Sequence, residues 1–441
     1  MTLDEWRVAR AAEIGRAIGA GELDPVALTE AYLDAAEAHS AGDQIYARLM
    51  RARALAEAHS ASERAKSGMR RGPLDGVPVS WKDLFDTAGT RTEAGTRLLE
   101  GRIPLSDAAV LARATGAGLV CLGKTHMTEL AFSGLGLNPI TATPPNVHDG
   151  DQVAGGSSSG AAASVAHGLA AGGIGSDTAG SVRIPAVWND LVGLKTRSGT
   201  LPLSGVVPLA PQFDTVGPLC RSVEDAALLL GAMGGPEVDL TAAGLGGVRF
   251  VVLTTLAMDD LAAPVESAFE NALARLEIAG AKVVRAEAPE QAEATELAGV
   301  LFAGEGYGVW RDEIETRPDA MYPLILERFR GGSAFSAADY VAAWRRLDEL
   351  REEYTARFAG FDAVLAPTCA NLPPMASDLL NDPELFIREN LLALRNTRIA
   401  SLMGLAALTV PTGVPQTGLM LSAPSEARLL RLGRAVETAL A

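Results

Sequence analysis

Two short stretches and one lysine hold residue types that could do chemistry together. "GGSSSG" at 155–160 and "SDTAGS" at 176–181 are dense in hydroxyls and glycines, and Lys82 follows the apolar run "GVPVSW". A serine hydroxyl becomes a nucleophile only when a base takes its proton, so the reading turns on which base is available. "GSSSG" fits the G-x-S-x-G nucleophile elbow with Ser158 at its centre, but that elbow needs a strong strand before it and an Asp and a His after it. "HDGDQVAG" does not read as such a strand, and His167 is the last of the five histidines, after His39, His59, His126 and His148. A histidine triad in this order is disfavoured. A phosphate-binding loop is disfavoured too, since no Lys follows the glycines.

Lysine can serve as the base when it is neutral, which requires burial or nearby positive charge. Moving its pKa from about 10.4 to near 7 takes roughly 4 to 5 kcal/mol of differential solvation. Lys82 has no other charge for several residues before it, so it is the candidate. Taken alone, a Lys after a strand reads as an exposed cation. The Gly/Ser run taken alone reads as a flexible connection. Against that, it runs straight into "AAASVAHGLAAG", which reads as a helix, so its amides sit at a helix start.

The elements around these residues follow from hydrophobic period and punctuation. Residues 1–70 read as helices: Asp24 is placed to cap one with Pro25 in its first turn, and Leu28, Tyr32 and Ala35 share a face. "IYARLMRARALAEAHSASERA" reads as another helix. "GVPVSW", "GLVCLG", "VRFVVLTT", "AKVVRAEA", "DAVLAPT" and "ALTVPT" read as strands. Val265, Ala268, Phe269, Ala272, Leu273 and Leu276 keep a helical face up to Gly280 between two of them, which makes a β-α-β unit. "SEARLLRLGRAVETAL" reads as a closing amphipathic helix. No repeat, linker or charge run divides the chain, and the expectation is one α/β domain over 1–441, with a helical layer at 1–70, a core at 72–230 and the remainder at 231–441.

Composition narrows the classes of function. The chain has 441 residues, 48% of them apolar and 21% charged, which is globular and not disordered. Its net charge of -16 argues against nucleic acid as the partner. No run approaches the roughly 20 apolar residues that cross a bilayer, and the N-terminus lacks a signal-peptide layout, so a cytoplasmic protein without a membrane partner is expected. Cys121, Cys220 and Cys369 are too widely spaced for a metal cluster or a disulfide framework and read as packing residues.

"GPLDGVPVSWKD", "GGSSSGAAASVAHGLAAGGIGSDTAGSVRIPA" and "FDTVGPLCRSVEDAALLL" together resemble the amidase signature hydrolases, most strongly over 72–230. The resemblance implies a central mixed β-sheet covered on both faces by helices, with no cofactor and no metal. It implies Ser181 as nucleophile, Ser157 as a bridging serine after a cis peptide bond, and Lys82 as the base acting through Ser157. It also implies an oxyanion hole from the amides of Thr178, Ala179, Gly180 and Ser181, with Ser158 and Asp177 as auxiliaries. Two residues depart from the family's pattern: Ala179 and Ser159 each replace a glycine. Arg183 has two readings, a structural ion pair with Asp177 or a contact to a substrate carboxylate. Phe132 is a candidate for the wall of the substrate pocket, and Tyr307 and Trp310 are either pocket or core. The substrate implied is a small-molecule amide, with an ester or carbamate as side reactions, and a homodimer is what the resemblance suggests. The competing readings are the A subunit of a tRNA-dependent amidotransferase, which needs a second chain to receive its ammonia, and a silent binding scaffold of the same fold.

Overall fold

A computed structural model describes residues 1–441. Eleven strands form one sheet: β1 (Tyr46–Leu49), β2 (Pro78–Lys82), β3 (Val120–Thr125), β4 (Gly172–Ser176), β5 (Val192–Lys195), β6 (Val216–Cys220), β7 (Arg249–Leu253), β8 (Lys282–Ala286), β9 (Ala363–Pro367), β10 (Ala406–Pro411) and β11 (Gly418–Ala423). Their spatial order is β1-β3-β2-β4-β6-β5-β10-β11-β9-β7-β8. Parallel pairs, β3 with β2 and β2 with β4, stand toward one end; β9, β7 and β8 are parallel at the other. The strands between them pair antiparallel, so the sheet is mixed. Helices flank it: Glu426–Leu440 packs on β10, Val223–Ala232 on β6 and Arg51–Lys66 on β3.

Local chemistry accounts for most of these elements. Asp24 caps the helix Pro25–Ala38 by accepting from the Val26 amide, an arrangement worth about 1 kcal/mol. Leu28 and Tyr32 of that helix are buried, while Ala36 and not Ala35 completes the buried face. The unit at 249–286 is as read from its periodicity: β7 and β8 are parallel, joined by the helix Ala263–Ile278, whose six named apolar residues are all buried. The proline-bounded runs form β9 and β10, each with its proline as last residue.

Three readings need correction. Tyr46–Leu49 is not the start of a helix but an edge strand, antiparallel to β3, and the helix begins only at Arg51. Pairing with an available strand edge outweighs the helical preference of four residues, which is small. The helix after the Gly/Ser run stops at Ala166, and "GGIGS" beyond it is the strand β4, between β2 and β6. Lys82 does not follow its strand but ends it.

The glycines of β4 have a packing cause. A Cβ on Gly173 would lie 2.6 Å from the Ala161 carbonyl oxygen, and one on Gly175 2.5 Å from Ser158 Oγ. The helix Ser159–Ala166 thus lies directly against the strand, and only glycine lets the two backbones approach this closely. That approach brings the two serine-rich stretches to one place.

Candidate active site

Lys82 ends β2 and Ser176 ends β4, and these strands run parallel as neighbours. Their side chains meet: Lys82 Nζ lies 2.8 Å from Ser176 Oγ and 2.7 Å from Ser157 Oγ. Lys82 is fully buried, and its amine is engaged by these two hydroxyls and not by a carboxylate. Burial pulls its pKa from 10.5 down to about 7, against the opposing pull of Asp177 and Asp214. Near neutral pH the amine is therefore present in quantity, and it can accept a proton from the Ser157 hydroxyl.

Ser157 follows a cis Gly156–Ser157 peptide bond. Its carbonyl accepts from the Thr128 amide at 3.2 Å, which fixes the residue between the sheet and the loop at 127–136. Ser158 stands at the N-cap of the next helix, donating its hydroxyl to the Ser176 carbonyl and its amide to the Ser181 carbonyl, each at 3.2 Å. It thus ties the three serine positions together through their backbones.

The turn at 177–181 is held from several sides. The Asp177 amide donates to the Thr215 carbonyl at 2.8 Å, and the Thr215 hydroxyl donates to the Asp177 carbonyl at 2.6 Å. Thr178 Oγ1 donates to the Asp214 carboxylate, and Thr397 Oγ1 donates to the Ala179 carbonyl at 2.7 Å. Gly180 has φ +150°, and a Cβ there would stand 2.2 Å from Thr397 Oγ1. The conformation that demands glycine falls on Gly180; Ala179 is not among the residues of positive φ, so alanine fits there without strain. The amides of Thr178, Ala179, Gly180 and Ser181 donate to no acceptor in the protein. Four successive N–H groups without an acceptor, beside a hydroxyl, are donors of the kind that a developing oxyanion requires.

Asp177 and Arg183 form a fully buried ion pair, Oδ1 to Nη2 at 2.8 Å and Oδ2 to Nε at 2.9 Å. Burial pushes the Asp177 carboxyl up, but Arg183 and the hydrogen bonds around it reverse this and hold the group below its ordinary value. Arg183 also donates to the Thr397 carbonyl at 2.7 Å and to Ser401 Oγ at 3.3 Å. Of its two readings the ion pair is the one realised; its donors are occupied and none is free for a substrate carboxylate.

Ser181 opens onto a cavity of about 30 Å³ walled by Phe132, Leu209, Phe302 and Leu394, with Thr178 and Ala179 on the same rim. The Ser181 hydroxyl makes no hydrogen bond within the protein and faces this space. Phe132 lines this cavity, edge-on to Phe329 with ring centroids 4.7 Å apart. Trp310 is core, donating its indole N–H to the Pro208 carbonyl at 2.9 Å. Two arginines, Arg328 and Arg398, also line the cavity. They come from helices far along the chain, and nothing local in the sequence marks them. Ser176 escaped the sequence reading as well, although it heads the quoted "SDTAGS", because the strand that carries it beside Lys82 was not read as one. A cavity of about 570 Å³ between residues 71–74 and 227–239 contains none of these groups. The three cysteines are buried, and burial pushes their thiols up, which makes them poor nucleophiles.

The amidase family model matches residues 27–424. The 2-amino-5-chloromuconic acid deaminase of Comamonas testosteroni is 35% identical over 88% of this chain and 86% of its own. The A subunit of the glutamyl-tRNA(Gln) amidotransferase of Thermobifida fusca is 33% identical over 98% of this chain and 95% of its own. A crystal structure of an amidase superposes with a TM-score of 0.89 at 31% identity, covering 98% of this chain and 100% of that one. With a match of this extent and relatives this close over nearly the whole length, the chain belongs to the amidase family, as an enzyme that cleaves amide C–N bonds.

Proposed function

We propose that this amidase acts through an acyl-enzyme on Ser181, with Ser157 and Lys82 as the proton relay. The observation that carries the reading is the buried Lys82 amine, without an anionic partner, 2.7 Å from the Ser157 hydroxyl. Ser181 Oγ attacks the amide carbon while its proton passes to Ser157 Oγ, whose own proton passes to Lys82 Nζ. The carbonyl oxygen becomes an oxyanion held by the free amides of residues 178–181, each such donor being worth about 2.7 to 4 kcal/mol in the transition state. Collapse breaks the C–N bond, and the relay runs backward to protonate the departing amine or ammonia. Water then attacks the ester, giving its proton to the same relay, and the acid leaves. Catalytic hydrogen bonds often tighten only when substrate is bound, so the free Ser181 hydroxyl fits a resting enzyme.

The substrate is a small amide, since the cavity beside Ser181 accepts only a few heavy atoms. Purified protein incubated with short-chain primary amides should release ammonia, and Ser181→Ala should release none above background; equal rates for the two would refute the reading. A second reading, the A subunit of an amidotransferase, is favoured by the likeness to the Thermobifida fusca protein over 98% of the chain. In that reading the same relay frees ammonia for a partner chain to use.

A further inference from the structure

Beside Ser181 the pairing of two strands continues past their ends. β4 and β6 are antiparallel with Ser176 opposite Val216, and Asp177 and Thr215 exchange amide and carbonyl in the same register one step further on. The next step sets Thr178 opposite Asp214, and their side chains meet, Thr178 Oγ1 on Asp214 Oδ1. The other carboxylate oxygen, Oδ2, accepts from the amides of Leu209 at 2.9 Å and Ala210 at 3.1 Å. The amides of Phe213 and Asp214 both donate to the Ala210 carbonyl at 2.8 Å, so residues 209–214 form a closed turn. That turn backs the cavity: Leu209 lines it with Thr178, Ser181 and Phe302, and the Phe213 ring packs on Phe302 with centroids 4.4 Å apart. One buried carboxyl thus joins two parts of the wall around Ser181.

Burial pushes the Asp214 carboxyl up, against the pull of these three donors and of the Lys82 charge. The contacts do not depend on which side wins. An amide N–H can only donate, so Oδ2 is an acceptor in either protonation state. The Thr178 hydroxyl donates to a carboxylate and accepts from a carboxylic acid, so that bond holds in both states as well. Position 214 therefore supplies shape and hydrogen-bonding capacity. An asparagine has both, with its oxygen toward the two amides and its NH2 toward Thr178 Oγ1; an alanine has neither and would leave all three groups buried without a partner.

We propose that Asp214 is a positioning residue for amide hydrolysis, fixing the amides of residues 178–181 against the wall at 209–210 so that a substrate carbonyl resting on that wall meets them as it becomes an oxyanion. This rests on Ser181 being the nucleophile with those amides as its oxyanion donors, and it adds the residue that keeps them in register. A displacement of about 1 Å at a reacting centre can cost on the order of 100-fold in rate, even when the altered residue does not touch the substrate.

The test measures kcat and KM for butyramide, and the rate at which a fluorophosphonate labels Ser181, in wild type, Asp214→Ala, Asp214→Asn, Thr178→Val and the double variant Asp214→Ala/Thr178→Val, each first shown to be folded by thermal melting. The labelling rate needs no substrate and decides alone if butyramide is turned over slowly. Asp214→Ala is expected to lower kcat and labelling at least 100-fold with KM changed less than tenfold, and Asp214→Asn to recover at least tenfold of that loss. Thr178→Val is expected to lower both rates at least tenfold, and to cost less than threefold more when added to Asp214→Ala, because the two residues act through one contact. A folded Asp214→Ala that labels within threefold of wild type overturns the proposal and leaves the Ser181 reading intact. So does a loss confined to KM, a loss that Asp214→Asn shares in full, or a double variant whose losses multiply. If Asp214→Ala does not fold, faster labelling of Asp214→Asn than of Thr178→Val upholds the proposal and the reverse order overturns it. A wild-type protein labelled on another serine, or not at all, removes the nucleophile reading and this proposal with it.

Discussion

Lys82 determines how the site responds to pH. Its folded pKa is lowered to about 7 from 10.5, so it is a base above pH 7 and a buried cation below it. kcat/KM for an uncharged amide is therefore expected to rise with pH through about 7 and then level off. Stability follows the same shift. Between pH 7 and 10.5 the unfolded chain holds a proton on this lysine that the folded chain has released, so stability rises with pH across that window. Below pH 7 the penalty is fully present, roughly 4 to 5 kcal/mol at most. Lys82→Met is expected to abolish turnover yet unfold at higher urea than wild type at pH 6, with the advantage shrinking toward pH 10.5. The Ser157 and Ser176 hydroxyls it leaves without a partner offset part of the gain. A flat rate profile from pH 6 to 9, with a variant less stable at pH 6, would contradict this. At this scale the candidates for chemistry were legible in the sequence where motif and residue type coincide, at Lys82, Ser157 and Ser181, and the structure brings Lys82 and Ser157 into contact. Arg328 and Arg398 were not legible, because a lone arginine in a helix looks the same whether its guanidinium meets water, a carboxylate or an empty cavity.

Among the elements, the turn at 177–181 and the strand before it carry the site. β4 was invisible to hydrophobic alternation, because "GGIGS" has one large side chain in five residues and its glycines answer to the helix packed against it. The strands with buried branched residues, β7 and β9 among them, were legible for the opposite reason. β1 was misread since Tyr46–Leu49 is a strand only by virtue of β3 beside it, a partner more than seventy residues away. Gly180 tests the turn directly. Gly180→Ala would force a Cβ to within 2.2 Å of Thr397 Oγ1 at φ +150°, so the backbone must shift and move the amides that are proposed to hold the oxyanion. The expected loss in kcat is on the order of 100-fold or more, as for removal of one or more oxyanion donors. A variant with wild-type kcat would mean that these amides do not hold the oxyanion.

The whole molecule gathers its site from residues 82 to 398, and that explains which parts of the account sequence supports and which it does not. The sheet order interleaves early and late strands, with β5 beside β10, so the wall of the cavity is assembled from segments hundreds of residues apart. Composition spoke only to the exterior: the net charge of -16 describes the surface, while the cavity holds two cations and no acid. An active site complete within one chain predicts that the protein purified alone turns over its amide at a rate unchanged by any other protein. Turnover that begins only on adding a copurifying larger chain would favour the amidotransferase reading. The most direct test of the central claim is the intact mass of the protein after treatment with a fluorophosphonate probe, with the adduct located by peptide sequencing. One adduct per chain on Ser181, absent in Lys82→Ala, is the result expected of a serine activated through Ser157 by a neutral lysine. An adduct on Ser158, or none on a folded wild-type protein, would contradict it.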